Sequence, residues 1–435
     1  MNKIVLSILT LLFCMPTMAQ QRTDEAMLYA AQKQWRSMCR HSARLSQSAV
    51  LEPLMRTEQL GVFGTAGQGF VITARDKNFP AVLAYSDAPF PSENIPDGLQ
   101  WWLDQMGRVI KSGSPSRSVM LSDVDYTPVE PLLKTNWAQD SPYNGLCPKT
   151  GGAWGTSAMT GCVATAMAQI LKYFQYPSSS TGKSYYLFVC SEARHNVTLS
   201  TTYDWANMAN AYTWNYSDAQ AKAVQELMRD CGYVSHMIYS AQGSGANAYD
   251  AGAGLSHNMR YDSLALSVDR RMFYNDEDWM SAIYVELQNQ RPILYNAVDP
   301  NMMGHAFVFD GMDSEGRVHI NWGWSGTANG YFDVRDLNGL APSYPNPYTG
   351  TDIKYNFCDD QIMVRGFKTQ ETPDADELYH SYFAMLEPDS IWMDNDSLKL
   401  KSVPMFNFSH LDFTGLIGVV VEDTTGHAVV QPFFY

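Results

Sequence analysis

One cysteine in the sequence stands in a setting that favours reactivity. Cys162 follows Gly161 and begins an apolar run that has the composition of a buried helix. At the start of a helix, unpaired backbone N–H groups and the positive end of the helix dipole favour a thiolate, and a glycine allows the sharp turn into the helix. A thiolate with a base beside it is a good nucleophile. From this segment alone, a buried structural cysteine is the alternative interpretation.

Among the nine histidines, His305 has the best setting for such a base. It follows Gly304 at the start of a strand-like run that continues to Gly311. It lies roughly 140 residues after Cys162, which is within the range for papain-type enzymes. The sequence therefore predicts a Cys–His pair that the fold must bring together.

The imidazole also needs an orienting group, and the oxyanion needs donors. Asn321 lies downstream in an Asn-Trp-Gly-Trp segment, but a tight hairpin would place it opposite Phe309 and about 13 Å along the strand from His305. Either an irregular register brings Asn321 back, or Trp322 orients the ring. For the oxyanion, the candidates are the backbone N–H of Cys162 and the side chain of Gln139, although a lone glutamine is more often a surface residue.

The elements that would hold these residues change type along the chain. The early part has a helix over about 20–50, a hairpin of residues 69–73 and 81–85, a second helix over 96–111, and a Ser-, Pro- and Asp-rich linker over 112–131. The main part has helices over 162–174, 218–231 and 277–290, a Gly/Ser/Ala-rich loop over 239–254, and strands from 291 to 367. Helices followed by strands are typical of an α+β fold.

Composition excludes some classes of protein. The 435 residues carry 30 Lys and Arg against 45 Asp and Glu, and the resulting charge of −15 argues against nucleic-acid binding. Hydrophobic residues make up 45%, which is enough for packed cores. Residues 1–19 have the positive start, short apolar run and small-residue end of a secretory signal peptide. No later stretch is long enough to span a membrane, so we expect an exported protein.

Three segments together resemble the streptopain family of secreted bacterial cysteine peptidases. They are TGCVATAMAQILKYFQYP around Cys162, GHAFVFDGMD around His305, and HINWGWSGTANGYF around Trp322. The segment WAQDSPYNGLCP resembles the oxyanion loop of that family, and GFVITARDKNFPAVLAYS resembles its pro-segment. The resemblance extends from about residue 25 to residue 368.

This resemblance implies an α+β protein with a papain-like, two-subdomain catalytic domain that is made as an inhibited zymogen. A small α+β pro-domain would occupy residues 20–120 and the peptidase domain residues 121–370. Residues 371–435 read as the start of a β-rich module that streptopain itself lacks. The expected partners are protein or peptide substrates, and the protein's own pro-domain acting as an intramolecular inhibitor.

The resemblance also assigns roles by position. Cys162 would be the nucleophile, His305 the base and Gln139 the support for the oxyanion. Trp322 would stand in the orienting position with Asn321 beside it. The substrate backbone would contact Gly304 and Ser244. The implied specificity is for an apolar side chain at the second position before the scissile bond. No metal or other cofactor is implied, and the absence of any CxxC pair agrees with that.

Two other functions stay open from the sequence. The first is a catalytically silent adhesin or binding protein that keeps the fold and uses the C-terminal module. The second is a transglutaminase or amidase on a similar Cys–His scaffold. The presence of both Cys162 and His305 favours a peptidase over a silent relative.

Overall fold

The computed structural model describes residues 21–112, 126–150, 155–298 and 304–335 except 214, 264, 272–273 and 275, then 344–345, 352–353, 361–369 and short strands between 383 and 434. The predicted signal peptide and most of the predicted linker lie outside the described residues. Helices are α1 (Asp24–Met38), α2 (Asp97–Ser112), α3 (Cys162–Phe174), α4 (Asp218–Val234), α5 (Ala248–His257) and α6 (Asp276–Gln288).

Most strands belong to the N-terminal unit or to the main domain. They are β1 (Glu52–Arg56), β2 (Leu60–Gly64), β3 (Phe70–Ala74), β4 (Val82–Ser86), β5 (Lys149–Thr150), β6 (Thr156–Ser157), β7 (Lys183–Phe188), β8 (His195–Thr198), β9 (Ile238–Tyr239), β10 (Ser267–Arg270), β11 (Ile293–Val298), β12 (Gly304–Met312), β13 (Val318–Asn321), β14 (Gly330–Phe332), β15 (Tyr344–Pro345), β16 (Asp352–Ile353) and β17 (Ile362–Arg365). The strands β18 (Phe383–Met385), β19 (Ser390–Asp394), β20 (Ser397–Lys401), β21 (Met405–Asn407), β22 (Ile417–Glu422) and β23 (Ala428–Phe434) follow.

The first helix is shorter than its sequence pattern predicts. Thr23 caps α1 by accepting the N–H of Ala26 at 3.2 Å. The buried side chains of α1 pack on the sheet formed by β2, β3 and β4. The helix ends at Met38 because the next segment is rich in serine. The hydroxyls of Ser42 and Ser46 accept nearby backbone N–H groups, which favours turns over helix.

The hairpin and the second helix of the N-terminal unit form as predicted. Strands β3 and β4 pair antiparallel, and α2 occupies Asp97–Ser112. Strand β4 also pairs with β14, with Tyr85 opposite Tyr331. This pairing joins the N-terminal strands to the main domain in one ten-stranded sheet, ordered β1-β2-β3-β4-β14-β13-β12-β11-β17-β10. The N-terminal unit and the main domain therefore share one continuous sheet.

The main domain combines this sheet with a helical layer. Helix α3 is buried along nearly its whole length and lies against β11, β12 and α4. The sequence predicted only loop over 239–254, but α5 begins at Ala248, where Asn247 accepts the N–H of Tyr249 at 2.8 Å. Gly254, a loop signal in the sequence, instead permits close packing, because a Cβ there would lie 2.4 Å from the carbonyl oxygen of Val234 at the end of α4.

The C-terminal segment contains three antiparallel strand pairs among its described residues. They are β18 with β21, β19 with β20, and β22 with β23. These pairs lie within residues 371–435, for which the sequence predicts a β-rich module. Across the described part of the chain, no helix has both the length and the apolar character that a membrane span needs.

Candidate active site

The cysteine lies where a helix begins against a tightly packed turn. Gly161 precedes α3 with φ of 86°, a conformation that glycine adopts readily. A Cβ at this position would lie 2.6 Å from Sδ of Met237 and 3.0 Å from the carbonyl oxygen of Ser244. No larger residue fits without a shift of the chain. Cys162 is thereby held at the first turn of α3, and it is partly exposed.

His305 lies on β12, beside the start of α3, and is buried. Its side chain lies close enough to that of Cys162 for each group to shift the pKa of the other. Its Nε2 lies 3.2 Å from the main-chain oxygen of Trp322. Because a carbonyl oxygen can only accept, Nε2 carries a proton and Nδ1 is left for the cysteine. The predicted Cys–His pair is thus formed by the fold.

The electrostatics of the two groups favour a charged pair. Burial raises the pKa of Cys162, but its hydrogen bond and charge interaction with His305 lower it by more, so the net pKa lies below the ordinary thiol value. Burial lowers the pKa of His305, but the interaction with Cys162 raises it by more. The Trp322 carbonyl and Asp97 raise this pKa by smaller amounts. Opposite shifts of this kind describe a thiolate beside an imidazolium.

Of the two candidate orienting residues, Trp322 contacts the imidazole. A register shift in the β12–β13 pair puts Asn321 opposite Val308. The Asn321 amide donates to the carbonyl oxygen of Thr135 at 2.8 Å and accepts the N–H of Gly323 at 3.1 Å. The expectation that Asn321 itself could orient His305 is therefore corrected: its side chain faces the interior next to α3, and the orienting contact is a main-chain oxygen.

The remaining predicted residues lie around the Cys–His pair. The carbonyl oxygen of Gln139 accepts the N–H of Thr160 at 3.0 Å, which places this loop next to the turn before Cys162. Gly304 is exposed at the start of β12, immediately before His305. Ser244 lies in the loop that touches Gly161, but its hydroxyl bonds within that loop, to the backbone of Ser240. A substrate contact by Ser244 would therefore use its main chain.

The N-terminal unit reaches this site through α2. A Cβ on Gly98 would lie 2.5 Å from Cε3 of Trp322 and 2.6 Å from Cδ2 of His305. The ring of Trp101, one turn further along α2, lies 6.2 Å from that of Phe307. Gly98 was not among the predicted site residues, because a helical glycine carries no signal of what it packs against. Gln169 was not among them either, although a polar residue within the apolar run of α3 is a signal that the sequence contains.

Comparison with known proteins identifies the family. A model described as the Peptidase C10 family matches residues 137–332, and one described as Spi protease inhibitor matches residues 54–110. Streptopain from Streptococcus pyogenes is 31% identical over 299 residues, which cover 64% of this chain and 75% of streptopain. The chain belongs to the peptidase C10 family. The expected relationship to streptopain is thereby confirmed. The expectation of a cysteine-type peptidase with an inhibitor-type unit before the catalytic domain is confirmed as well.

Two further related proteins bear on the fold of this chain and on its length relative to its relatives. A fragment of prointerpain A from Prevotella intermedia superposes with a TM-score of 0.61 at 35% identity, covering 74% of this chain and 99% of the fragment. This likeness confirms the α+β, papain-like fold with an N-terminal pro-domain. Thiol protease/hemagglutinin PrtT from Porphyromonas gingivalis is 28% identical over 78% of this chain, which spans only 42% of that protein.

Proposed function

We propose that this C10 protein is an exported cysteine endopeptidase made as a zymogen, which hydrolyses peptide bonds in proteins. The observation that carries the proposal is the placement of Cys162 at the first turn of α3 beside His305, where the pKa of the thiol is lowered and that of the imidazole is raised. Burial raises the pKa of a cysteine that has a purely structural role, and it raises the pKa of Cys147 and Cys231 in this way.

The chemistry would proceed by acyl transfer. The Cys162 thiolate attacks the peptide carbonyl carbon, and the oxyanion accepts hydrogen bonds from the backbone N–H of Cys162 and the side chain of Gln139. The His305 imidazolium gives its proton to the leaving amine as the C–N bond breaks. Neutral His305 then takes a proton from water, which hydrolyses the thioester and restores the thiolate. The Trp322 carbonyl keeps the ring aligned throughout, since it accepts from Nε2 in both steps.

The pro-domain would inhibit the enzyme by covering the pair. Helix α2 packs Gly98 against both His305 and Trp322, so a substrate cannot occupy the same space. Release would follow cleavage between about Gly113 and Val129, the predicted linker. Mass spectrometry of the secreted protein tests this prediction, and a stable full-length form with full activity would contradict it. Export is supported by the positive start and apolar run of residues 1–19.

The activity is tested with casein and a thiol reductant. The self-processed wild type should hydrolyse casein, and Cys162→Ala should abolish hydrolysis. Cys190→Ser is the matched control, because Cys190 is exposed, and it should leave the rate unchanged. Casein hydrolysis that survives Cys162→Ala would refute the mechanism. A processed wild type with no hydrolase activity would favour the binding-protein alternative.

The specificity is a separate part of the proposal. By its resemblance to streptopain, the enzyme should prefer an apolar side chain at the second position before the scissile bond. Peptides that differ only there, Ile against Asp, should differ in kcat/KM by at least about tenfold, since burying an unpaired charge in an apolar subsite is costly. Equal values would refute this preference.

A further inference from the structure

Gln169 is a fully buried polar residue on the helix that begins with Cys162. It follows Cys162 by about two helical turns, so both residues lie on nearly the same face of α3. Its immediate neighbours in the helix, Ala168 and Ile170, are apolar. A carboxamide in such a place is costly unless its donor and acceptor are both satisfied.

The carboxamide of Gln169 is satisfied by two other segments of the chain. Its Oε1 accepts the hydroxyl of Thr135 at 2.9 Å and the N–H of Trp137 at 3.3 Å. Its amide pairs head-to-tail with that of Asn321, in which Nε2 donates to Oδ1 and Oε1 accepts from Nδ2, both at 3.3 Å. Asn321 closes the network by donating to the carbonyl oxygen of Thr135 at 2.8 Å.

Each segment in this network carries one part of the catalytic machinery. Helix α3 carries Cys162, and the Thr135–Trp137 segment leads directly into Gln139. Asn321 is followed by Trp322, whose main-chain oxygen contacts His305. The nucleophile, the oxyanion support and the orienting carbonyl are thus tied to one side chain.

We propose that Gln169 is a positioning residue of the catalytic site, which sets the oxyanion loop and the Trp322 carbonyl relative to Cys162. The proposal rests on the proposed peptidase function for its kinetic effect. The role requires a side chain that both donates to Asn321 and accepts from Thr135, as the amide of Gln169 does. Methionine has a similar length and flexibility but offers neither a donor nor a comparable acceptor. Gln169→Met therefore removes the network while the core stays filled.

The test uses the full chain after processing. In Gln169→Met, kcat towards a peptide should fall about 10- to 100-fold with little change in KM, since small misplacements of catalytic groups have effects of this size. The pH profile for alkylation of Cys162 by iodoacetamide, followed on the peptide that carries it, should move to higher pH, because a loosened Trp322 carbonyl no longer fixes His305. A purely structural role would lower the melting temperature and leave both readouts unchanged.

Two further variants keep the test decisive. Ile170→Val, next to Gln169 on the same buried helix, is the control and should lower stability while leaving kcat and the alkylation profile unchanged. Thr135→Val removes only the hydrogen bond from the Thr135 hydroxyl to Gln169 and should lower kcat several-fold. This variant is the deciding test if Gln169→Met does not fold. Wild-type kcat and an unshifted alkylation profile in either folded variant would overturn the proposal. If the wild type hydrolyses no peptide, the proposed function fails, but the alkylation profile still decides the role of Gln169.

Discussion

The contact of Gly98 with His305 and Trp322 gives a direct test of how the pro-domain is held. In Gly98→Ala, the added methyl carbon would lie 2.5 Å from the Trp322 ring and 2.6 Å from the His305 ring. Both rings are buried and cannot move aside freely, so α2 must shift outward by roughly 1 Å to reach ordinary van der Waals contact. Overpacking of this kind costs about 1–3 kcal/mol.

A matched control on the same helix separates this clash from helix propensity. Alanine is favoured over glycine in a helix interior by about 1 kcal/mol. Gly107 lies in the interior of α2, and a Cβ there would have no heavy atom within 4 Å. Gly107→Ala therefore gains the propensity without the clash. Gly98 lies in the first turn, where the gain is no larger, so the two variants should differ by at least the clash, which corresponds to about a 5- to 150-fold ratio of opening constants.

Amide hydrogen exchange of α2 measures these opening constants. The measurement uses the full chain with Cys162→Ala, so that self-cleavage cannot remove the helix during the experiment. Exchange in Gly98→Ala should be faster than in Gly107→Ala by the stated ratio, and Gly107→Ala should exchange no faster than the parent chain. Equal exchange in the two glycine variants would refute the conclusion that α2 rests on His305 and Trp322.

Two more predictions concern the Cys162–His305 pair and the helix α2. In the unprocessed chain, iodoacetamide should alkylate Cys162 at a lower pH than an ordinary thiol needs, because His305 lowers the pKa of Cys162. In His305→Gln, alkylation should need a higher pH than for an ordinary thiol, because burial alone raises the pKa of Cys162. An unchanged pH profile would contradict the ion pair. Gln105→Met should stabilise the unprocessed chain by about 1 kcal/mol or more, because Gln105 is buried on α2 without a hydrogen-bond partner among the described residues. Urea unfolding checks this, with exposed Gln100→Met as the control; an equal or lower stability would contradict it.

The sequence predicts the local chemistry better than the long-range contacts. Cys162, its glycine and its helix form one continuous segment, so their arrangement follows from local rules of helix starts. His305 could be proposed because a glycine followed by a strand presents a side chain at the start of the strand. The pairing of β4 with β14 has no such local signal, because the residues of one strand do not specify a partner strand far away in the chain.

The orienting group shows the same limit at closer range. The sequence left Asn321 and Trp322 as alternatives, and the choice depended on a register shift within the β12–β13 pair. A main-chain carbonyl has no residue type, so no pattern of side chains could have identified it as the partner of His305. Asn321 matters instead through Gln169, which a pattern search could mark only as a polar residue in an apolar helix.

The geometry of the covered site bears on how activation works. The mutual pKa shifts of Cys162 and His305 and the contact of His305 with the Trp322 carbonyl are present while α2 lies against His305 and Trp322. Asp97 on α2 even contributes to raising the pKa of His305, so the pro-domain favours the charged imidazole that catalysis uses. An inhibitor that disassembled the site would leave the network of Gln169 and Asn321 broken, whereas that network is complete here. On the proposed function, inhibition would therefore work by occupying the substrate's place, and activation would need the departure of α2 without any rebuilding of the catalytic pair.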